Sequence, residues 1–158
     1  MDANDFKHFS REFTSLLRGY LPSYRWTWSN SVRQAGVCYA GKRLIRLSAP
    51  IAALNSLEDF HLIGLHEASH GIIPNDSHGP LWRAKCLELG GDGKRTHNLT
   101  TPDAKYIGVC LNGHRYGKHR APVSGGYVCT ACKPNAVIDW HVNPDWKRAS
   151  ELLTSLGI

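Results

Sequence analysis

His66-Glu67-Ala68-Ser69-His70 constrains what this chain can fold into more than any other stretch. On an α-helix, residues four apart lie on one face, so His66 and His70 can aim two imidazoles at one metal ion. Glu67 is rotated off that line and stands beside the metal rather than on it. A general base must stand there to take a proton from water. The pattern H-E-x-x-H is a zinc-hydrolase signature. A catalytic zinc needs three protein ligands and an open position. His78, presented after the turn Asn75-Asp76-Ser77, is favoured as the third, with Asp76 and Glu88 as rivals.

The flanks predict the elements that carry these residues. Asn55 with Glu58 three residues on forms a capping box at the helix entry. Leu62, Leu65, Ser69 and Ile72 recur at helical spacing as the core-facing stripe, and Gly71 and Pro74 end the helix. Pro80 opens a second helix that runs to Leu89 and buries Trp82, Cys86 and Leu89. Upstream, residues 4–19 place Phe6, Phe9, Phe13, Leu16 and Leu17 on one face of an amphipathic helix closed by Gly19 and Pro22. Tyr24-Arg25-Trp26-Thr27-Trp28 alternates as a half-buried strand, its aromatics read as core rather than as a binding platform. Two further strands, residues 34–40 and 43–47, are joined by Gly41-Lys42 as a two-residue hairpin turn.

The cysteines divide into two kinds. Cys38 and Cys86 fall within predicted elements and read as buried thiols. Cys110 and His114, followed by Cys129 and Cys132, form two pairs of soft ligands, as in a closed structural zinc site, with His119 as a rival to His114. So short a segment cannot build a core of its own, and the metal would supply its folding energy.

Charge follows the same division. The net charge of +6 is concentrated in residues 94–133, which hold seven Lys/Arg against one Asp. That excess predicts a polyanion partner, with Arg115, Lys118 and Arg120 on phosphates and Tyr106, Tyr116 and Tyr127 on unpaired bases. The domains expected are a core over residues 1–93, a basic zinc ribbon over 94–135 and a C-terminal amphipathic helix over 136–158. In that helix Asn143-Pro144 forms the cap, and Trp146, Ala149, Leu152, Leu153 and Leu156 form the apolar face. At 42% hydrophobic content the chain is globular, and no apolar run approaches the ~20 residues of a membrane span. Met1-Asp2-Ala3-Asn4-Asp5 lacks the layout of a signal peptide, so the expected place is the cytoplasm, on or near DNA.

Several features in register resemble the SprT-like family of small zinc metalloproteases. They are Ala35-Gly36-Val37-Cys38 with the strand Arg43-Leu44-Ile45-Arg46-Leu47-Ser48, the His66–His70 helix, His78-Gly79 with Trp82, and the cysteine-bearing ribbon. The resemblance implies an α+β zincin-like core: an N-terminal helix, a three-stranded antiparallel sheet, the H-E-x-x-H helix and a following helix, with a small zinc ribbon attached. It further implies that His66, His70 and His78 bind catalytic zinc, that Glu67 is catalytic, and that the ribbon region touches DNA, as in members that act on DNA–protein crosslinks. The chain departs from the family in two ways. Cys110 and His114 stand where it has Cys-x2-Cys, and the long adaptor-binding tail of its eukaryotic repair members is absent. A compact bacterial or phage protein is the expectation.

The function expected is that of a zinc metalloendopeptidase with one catalytic and one structural zinc. It would be a monomer acting on a protein substrate and recruited to single-stranded or damaged DNA. The alternatives are a DNA-binding zinc module with the core as scaffold, and a protease acting on a specific protein target independently of DNA. The glutamate argues against a scaffold, which needs ligands but no base.

Overall fold

The helix nearest the N-terminus forms because its ends and its face are both specified. α1 spans Ala3–Tyr20, and the Asp2 carboxylate accepts from the Asn4 and Asp5 amides, with Asp5 returning a bond to the Asp2 amide. Phe6, Phe9, Phe13 and Leu17 are its buried stripe, while Leu16 is half-buried. The chain is described here from a computed structural model covering residues 1–123 and 126–157, with the backbone alone at residues 145, 147–149 and 152.

The α1 stripe packs on the first strand, β1 (Arg25–Ser29). Phe13 meets Trp26 at 5.3 Å and Phe9 meets Trp28 at 5.5 Å between ring centroids. Trp26 donates its indole N–H to Thr14 Oγ1 at 3.0 Å, and the Tyr24 hydroxyl donates to the Gly71 carbonyl at 3.2 Å. These aromatics are half-buried, Trp26 and Trp28 packing on α1, in keeping with the half-buried strand expected.

The sheet differs from the antiparallel arrangement expected. Its order is β1-β3-β2, where β2 is Gly36–Tyr39 and β3 is Leu44–Ser48. β3 is antiparallel to β2 but parallel to β1, pairing Arg25 with Leu44 and Ser29 with Ser48. The order follows from β3, where Leu44, Ile45, Leu47 and Ser48 are all buried. The most buried of the three strands takes the middle of the sheet, and β1 is left with its far edge. Nor is the β2–β3 connection a two-residue hairpin. Ala40–Lys42 make a 3-10 turn, closed by Arg43 in the left-handed region at φ 48.

After a short helix, α2 (Ala49–Ala53), comes α3 (Leu57–Ile72). Its N-cap is Ser56, accepting from the Asp59 amide, and not Asn55. Asn55 instead ties the later connector down: it donates to the Thr100 carbonyl at 2.8 Å and accepts from the Thr100 amide at 2.9 Å. The buried face of α3 also differs from the stripe expected. Phe60, Ile63, Gly64, Ala68 and Gly71 are buried with Ser69, whereas Leu62, Leu65 and Ile72 are half-buried. α3 lies so close to α1 that a Cβ at Gly64 would stand 3.1 Å from the Phe13 ring, so small residues take the contact. α4 (Pro80–Glu88) buries Trp82 and Cys86, and Leu89 follows it half-buried.

Two compact units divide the chain, one built on Met1–Thr101 and one on Pro102–Ser155. The second holds β4 (Tyr106–Cys110), β5 (Arg115–Lys118), β6 (Val128–Cys129) and β7 (Ala136–Val142), in the order β5-β4-β7-β6, and then α5 (Pro144–Ser155). Residues 136–142, counted with the C-terminal helix in the sequence, are thus a strand. Buried Ile138 lies between exposed Val137 and Asp139, an alternation of period two rather than a helical stripe. In α5, Leu153 is buried and Trp146 half-buried, while the side chains of Ala149 and Leu152 lie outside the described residues. Among the described residues no helix is long and apolar enough to cross a membrane.

Candidate metal centres

α3 carries His66 and His70 one turn apart, as the spacing predicts. The third imidazole comes from His78, held in the left-handed region at φ 59. The three Nε2 atoms meet at 3.2 Å (His66–His70), 3.0 Å (His70–His78) and 3.0 Å (His66–His78). Nitrogens bound to one tetrahedral ion at about 2.0–2.1 Å would stand about 3.3 Å apart. The donor set therefore fits a metal ion. Trp82 backs the triangle, its ring 4.7 Å from His66, 5.1 Å from His70 and 4.7 Å from His78. Burial, reinforced by the neighbouring imidazoles, lowers His66 and His70 to about 4. Burial and then Arg95 lower His78 as well. All three rings are thus held neutral near pH 7, with lone pairs available.

The rivals for third place do other work. Asp76 accepts from the Leu81 amide at 2.7 Å and the Trp82 amide at 2.9 Å, satisfying the free donors at the start of α4. Glu88 is exposed and pairs with Lys85.

Glu67 is buried against β2. A Cβ at Gly36 would stand 2.6 Å from its Cγ and 2.8 Å from its Oε1, so only glycine leaves room for this carboxylate. Burial pushes the Glu67 carboxyl up to about 7, opposed by the hydrogen bond from the Cys38 amide. Cys38 is half-buried rather than buried, and its thiol is pushed up to about 11 by burial and then by Glu67. Glu67 and the three histidines line one cleft, shared with Gly36, Val37, Cys38, Arg95 and His97.

Arg95 and His97 fall in the stretch that the sequence assigns to the basic ribbon, yet they line this cleft. The His97 ring lies 5.6 Å from that of His66, with its Nδ1 3.8 Å from Asp92. The connector has no regular structure, so no periodicity marks either residue. Lys94 and Arg95 also belong to the first unit, which changes where the charge sits. Residues 1–101 carry twelve Lys/Arg against nine Asp/Glu, and residues 102–155 carry seven against four.

The second group forms where β4 and β6 end. The turn Leu111-Asn112-Gly113, with Gly113 at φ 79, brings His114 back beside Cys110. His114 Nδ1 lies 3.4 Å from Cys110 Sγ, 3.6 Å from Cys129 Sγ and 3.5 Å from Cys132 Sγ, and Cys110 Sγ lies 3.7 Å from Cys132 Sγ. A tetrahedral ion with sulfur at about 2.3 Å and nitrogen at about 2.0–2.1 Å requires S–N near ~3.6 Å and S–S near ~3.8 Å. This group also fits a metal ion. His119 is not part of it and faces Trp146 at 6.3 Å. The Asn112 amide donates to Cys132 Sγ at 3.1 Å, and the Tyr116 hydroxyl meets Cys129 Sγ at 2.9 Å. That hydroxyl is the main cause of a Cys129 thiol lowered to about 6, and the same contact raises Tyr116 to about 12.

Of the candidate nucleic-acid residues, Arg115 and Arg120 are exposed, Arg115 on edge strand β5. Lys118 Nζ stands 3.2 Å over the Tyr127 ring, and Tyr127 packs edge-on against Trp140 at 5.6 Å. Tyr116 and Tyr127 both pack against the cluster of Cys110, Cys129, Cys132 and Ile138. Their rings are committed to that interior rather than standing free.

No curated protein and no solved structure matches the chain. Residues 3–102, from α1 through both histidine-bearing segments to the end of the connector, match the family described as SprT-like. With the mixed α+β core and the histidine triangle already in place, that match settles the lineage: the chain belongs to the SprT-like family.

Proposed function

We propose that the chain is a zinc-dependent endopeptidase. His66, His70 and His78 hold its catalytic zinc, Glu67 is its general base, and Cys110, His114, Cys129 and Cys132 hold a structural zinc. The observation that carries this reading is the convergence of three neutral imidazole nitrogens within 3.2 Å of one another, in a cleft that also holds a buried carboxylate.

A zinc ion held by His66, His70 and His78 would supply Lewis acidity there, lowering the pKa of a water toward ~7 and polarising a scissile carbonyl. Glu67 takes the proton of the attacking water on its carboxylate and passes it to the leaving amine nitrogen. Burial, which raises the affinity of this carboxyl for a proton, suits it to taking one up and handing it on. β2 is an edge strand lining the same cleft, so an extended peptide can be held against the backbone groups of that edge other than the Cys38 amide, which Glu67 already takes. Arg115, Lys118 and Arg120 recruit the enzyme to DNA or DNA-bound protein through phosphate contacts.

The test is cleavage of a DNA-binding protein by the pure chain, with and without a single-stranded oligonucleotide, alongside zinc analysis. Expected are two zinc per chain, cleavage abolished by a chelator, and faster cleavage with the oligonucleotide. A zinc-loaded protein that cleaves no target would refute the protease reading, and cleavage indifferent to DNA would refute the recruitment.

Gly36→Ala provides a local check. The added methyl must displace Glu67, and a misplacement of about 1 Å costs on the order of 10²-fold in rate. Activity should fall by about that factor with zinc content unchanged. Activity equal to the wild type would mean that the Glu67 position is not critical.

A further inference from the structure

Between Glu12 and Glu58 the sequence contains no Asp or Glu, yet it holds six cations: Arg18, Arg25, Arg33, Lys42, Arg43 and Arg46. Summed over residues 1–93 this bias nearly disappears, because Glu58, Asp59 and Glu67 of α3 and then Asp76, Glu88 and Asp92 supply six acids against only Arg83 and Lys85. All six side chains are exposed.

The sheet gathers four of them. Trp26, Trp28, Ile45 and Leu47 fill the side of the sheet that faces α1. By alternation the other side carries Arg25 and Thr27 of β1, Arg46 of β3 and Tyr39 of β2. Register places Thr27, Arg46 and Val37 in one row across the three strands, and Arg25, Leu44 and Tyr39 in the next. Lys42 and Arg43 stand at the end of the same sheet, in the β2–β3 connection. Lys42 Nζ and Arg46 Cζ lie 5.8 and 5.9 Å from the centroid of the Tyr39 ring, which draws both cations onto one spot. Among the described residues the ion pairs include none of these four cations.

We propose that this sheet face is a second polyanion-binding surface, carried by the unit that holds the histidine site, and that its partner is the phosphodiester backbone of nucleic acid. Like charges gathered without counter-ions repel one another, and a partner that supplies closely spaced negative charges relieves that repulsion. Arginines suit phosphate oxygens, which they can grip with two parallel N–H bonds. A lipid surface would be met instead by exposed aliphatic side chains. Among the described residues on this sheet face the exposed large apolar side chain is Tyr39, at 38%, and two of the cations lie against its ring. The inference concerns binding and is independent of whether the chain cleaves peptides.

The test is binding of the full chain to a fluorescent ~20-nucleotide single strand and to the matching duplex over a salt series. For a single strand the slope of log affinity against log salt is about −0.7 per phosphate neutralised. Replacing Arg25, Lys42, Arg43 and Arg46 by Ala should reduce that slope by about 1–3 and weaken binding at about 50 mM salt tenfold or more. The loss should recur in a chain already carrying Arg115→Ala, Lys118→Ala and Arg120→Ala. A matched set that keeps Lys42 and carries Arg25→Lys, Arg43→Lys and Arg46→Lys should regain the slope, which separates charge from folding. The proposal is overturned if the Ala set binds as the wild type does, if the Lys set does not recover, or if the wild type binds neither probe. It is also overturned if the Ala set changes only adsorption to phosphatidylserine vesicles or capture of an acidic peptide.

Discussion

Glu67→Gln should keep the zinc and the fold of the wild type and lose about 10²–10⁴ in the rate of peptide hydrolysis, the usual cost of removing general acid–base assistance. Glutamine preserves the size of a side chain that has only the space above Gly36, and it can still accept the Cys38 amide hydrogen bond. What it removes is the oxygen that takes the proton. His70→Ala differs in kind, because it removes one of three converging nitrogens and should lose metal and activity together. The metal-free proteins add a pH signature. The folded pKa of Glu67, about 7, lies above its ordinary value of 4.5. The stability that the protonated carboxyl contributes is therefore present below pH ~4.5 and is lost as the pH rises through 7. Glutamine does not ionise, so metal-free Glu67→Gln should match the wild type in acid and surpass it at pH 8. Thermal melts at both pH values, run beside the cleavage and zinc assays, decide the matter. A zinc-loaded Glu67→Gln protein that cleaves normally removes Glu67 from the mechanism.

Cys129→Ser with Cys132→Ser should release one zinc and unfold residues 102–155 while residues 1–101 keep their structure. Among the described residues the buried cluster on the β4–β7 sheet is Cys110, Cys129, Cys132 and Ile138, with Tyr116, Tyr127 and Trp140 packed around it. Burying an aliphatic side chain gains about 1.5–3 kcal/mol, whereas fixing one residue of backbone costs about 1–2 kcal/mol. An interior built mostly of ligands cannot meet that cost over so many residues. Structural zinc in small domains contributes an apparent ~10–16 kcal/mol. Hydrogen exchange resolved along the chain should show protection lost across β4–β7 and kept in α1 and α3. Protection retained in β4–β7 by a protein with one zinc fewer would show that the ribbon folds without its metal.

The sequence made the metal-bearing elements legible because their signals are local. Four-residue spacing gives one helical face, and two soft-ligand pairs give a closed site. The phenylalanines of α1 were readable for the same reason. The partner of a strand is a different kind of information. Alternation in Arg25–Ser29 says which side chains go inward but not that β1 pairs with β3, or in which direction. The α3 stripe misled because leucines look like core, whereas close approach to α1 demanded Gly64. The cap was displaced by one residue because Asn55 and Ser56 are both good caps, and only the contact with Thr100 decides between them. Arg95 and His97 reached the cleft through an irregular segment, whose path is set by tertiary bonds and leaves no repeat to read.

Asp76 has a consequence for anyone who would transplant this centre into another scaffold. Its carboxylate binds the first amides of α4, and its carbonyl accepts from the Gly79 amide at 2.8 Å. A Cβ at residue 79 would stand 2.1 Å from that carboxylate, so glycine is required there too. The loop that aims His78 and the helix that brings up Trp82 are therefore one mechanical part. Grafting His66, Glu67, His70 and His78 onto a foreign helix and loop would copy the donor atoms without the brace that aims them. The portable piece is the whole run of residues 66–82, with Gly36 supplied from a strand opposite.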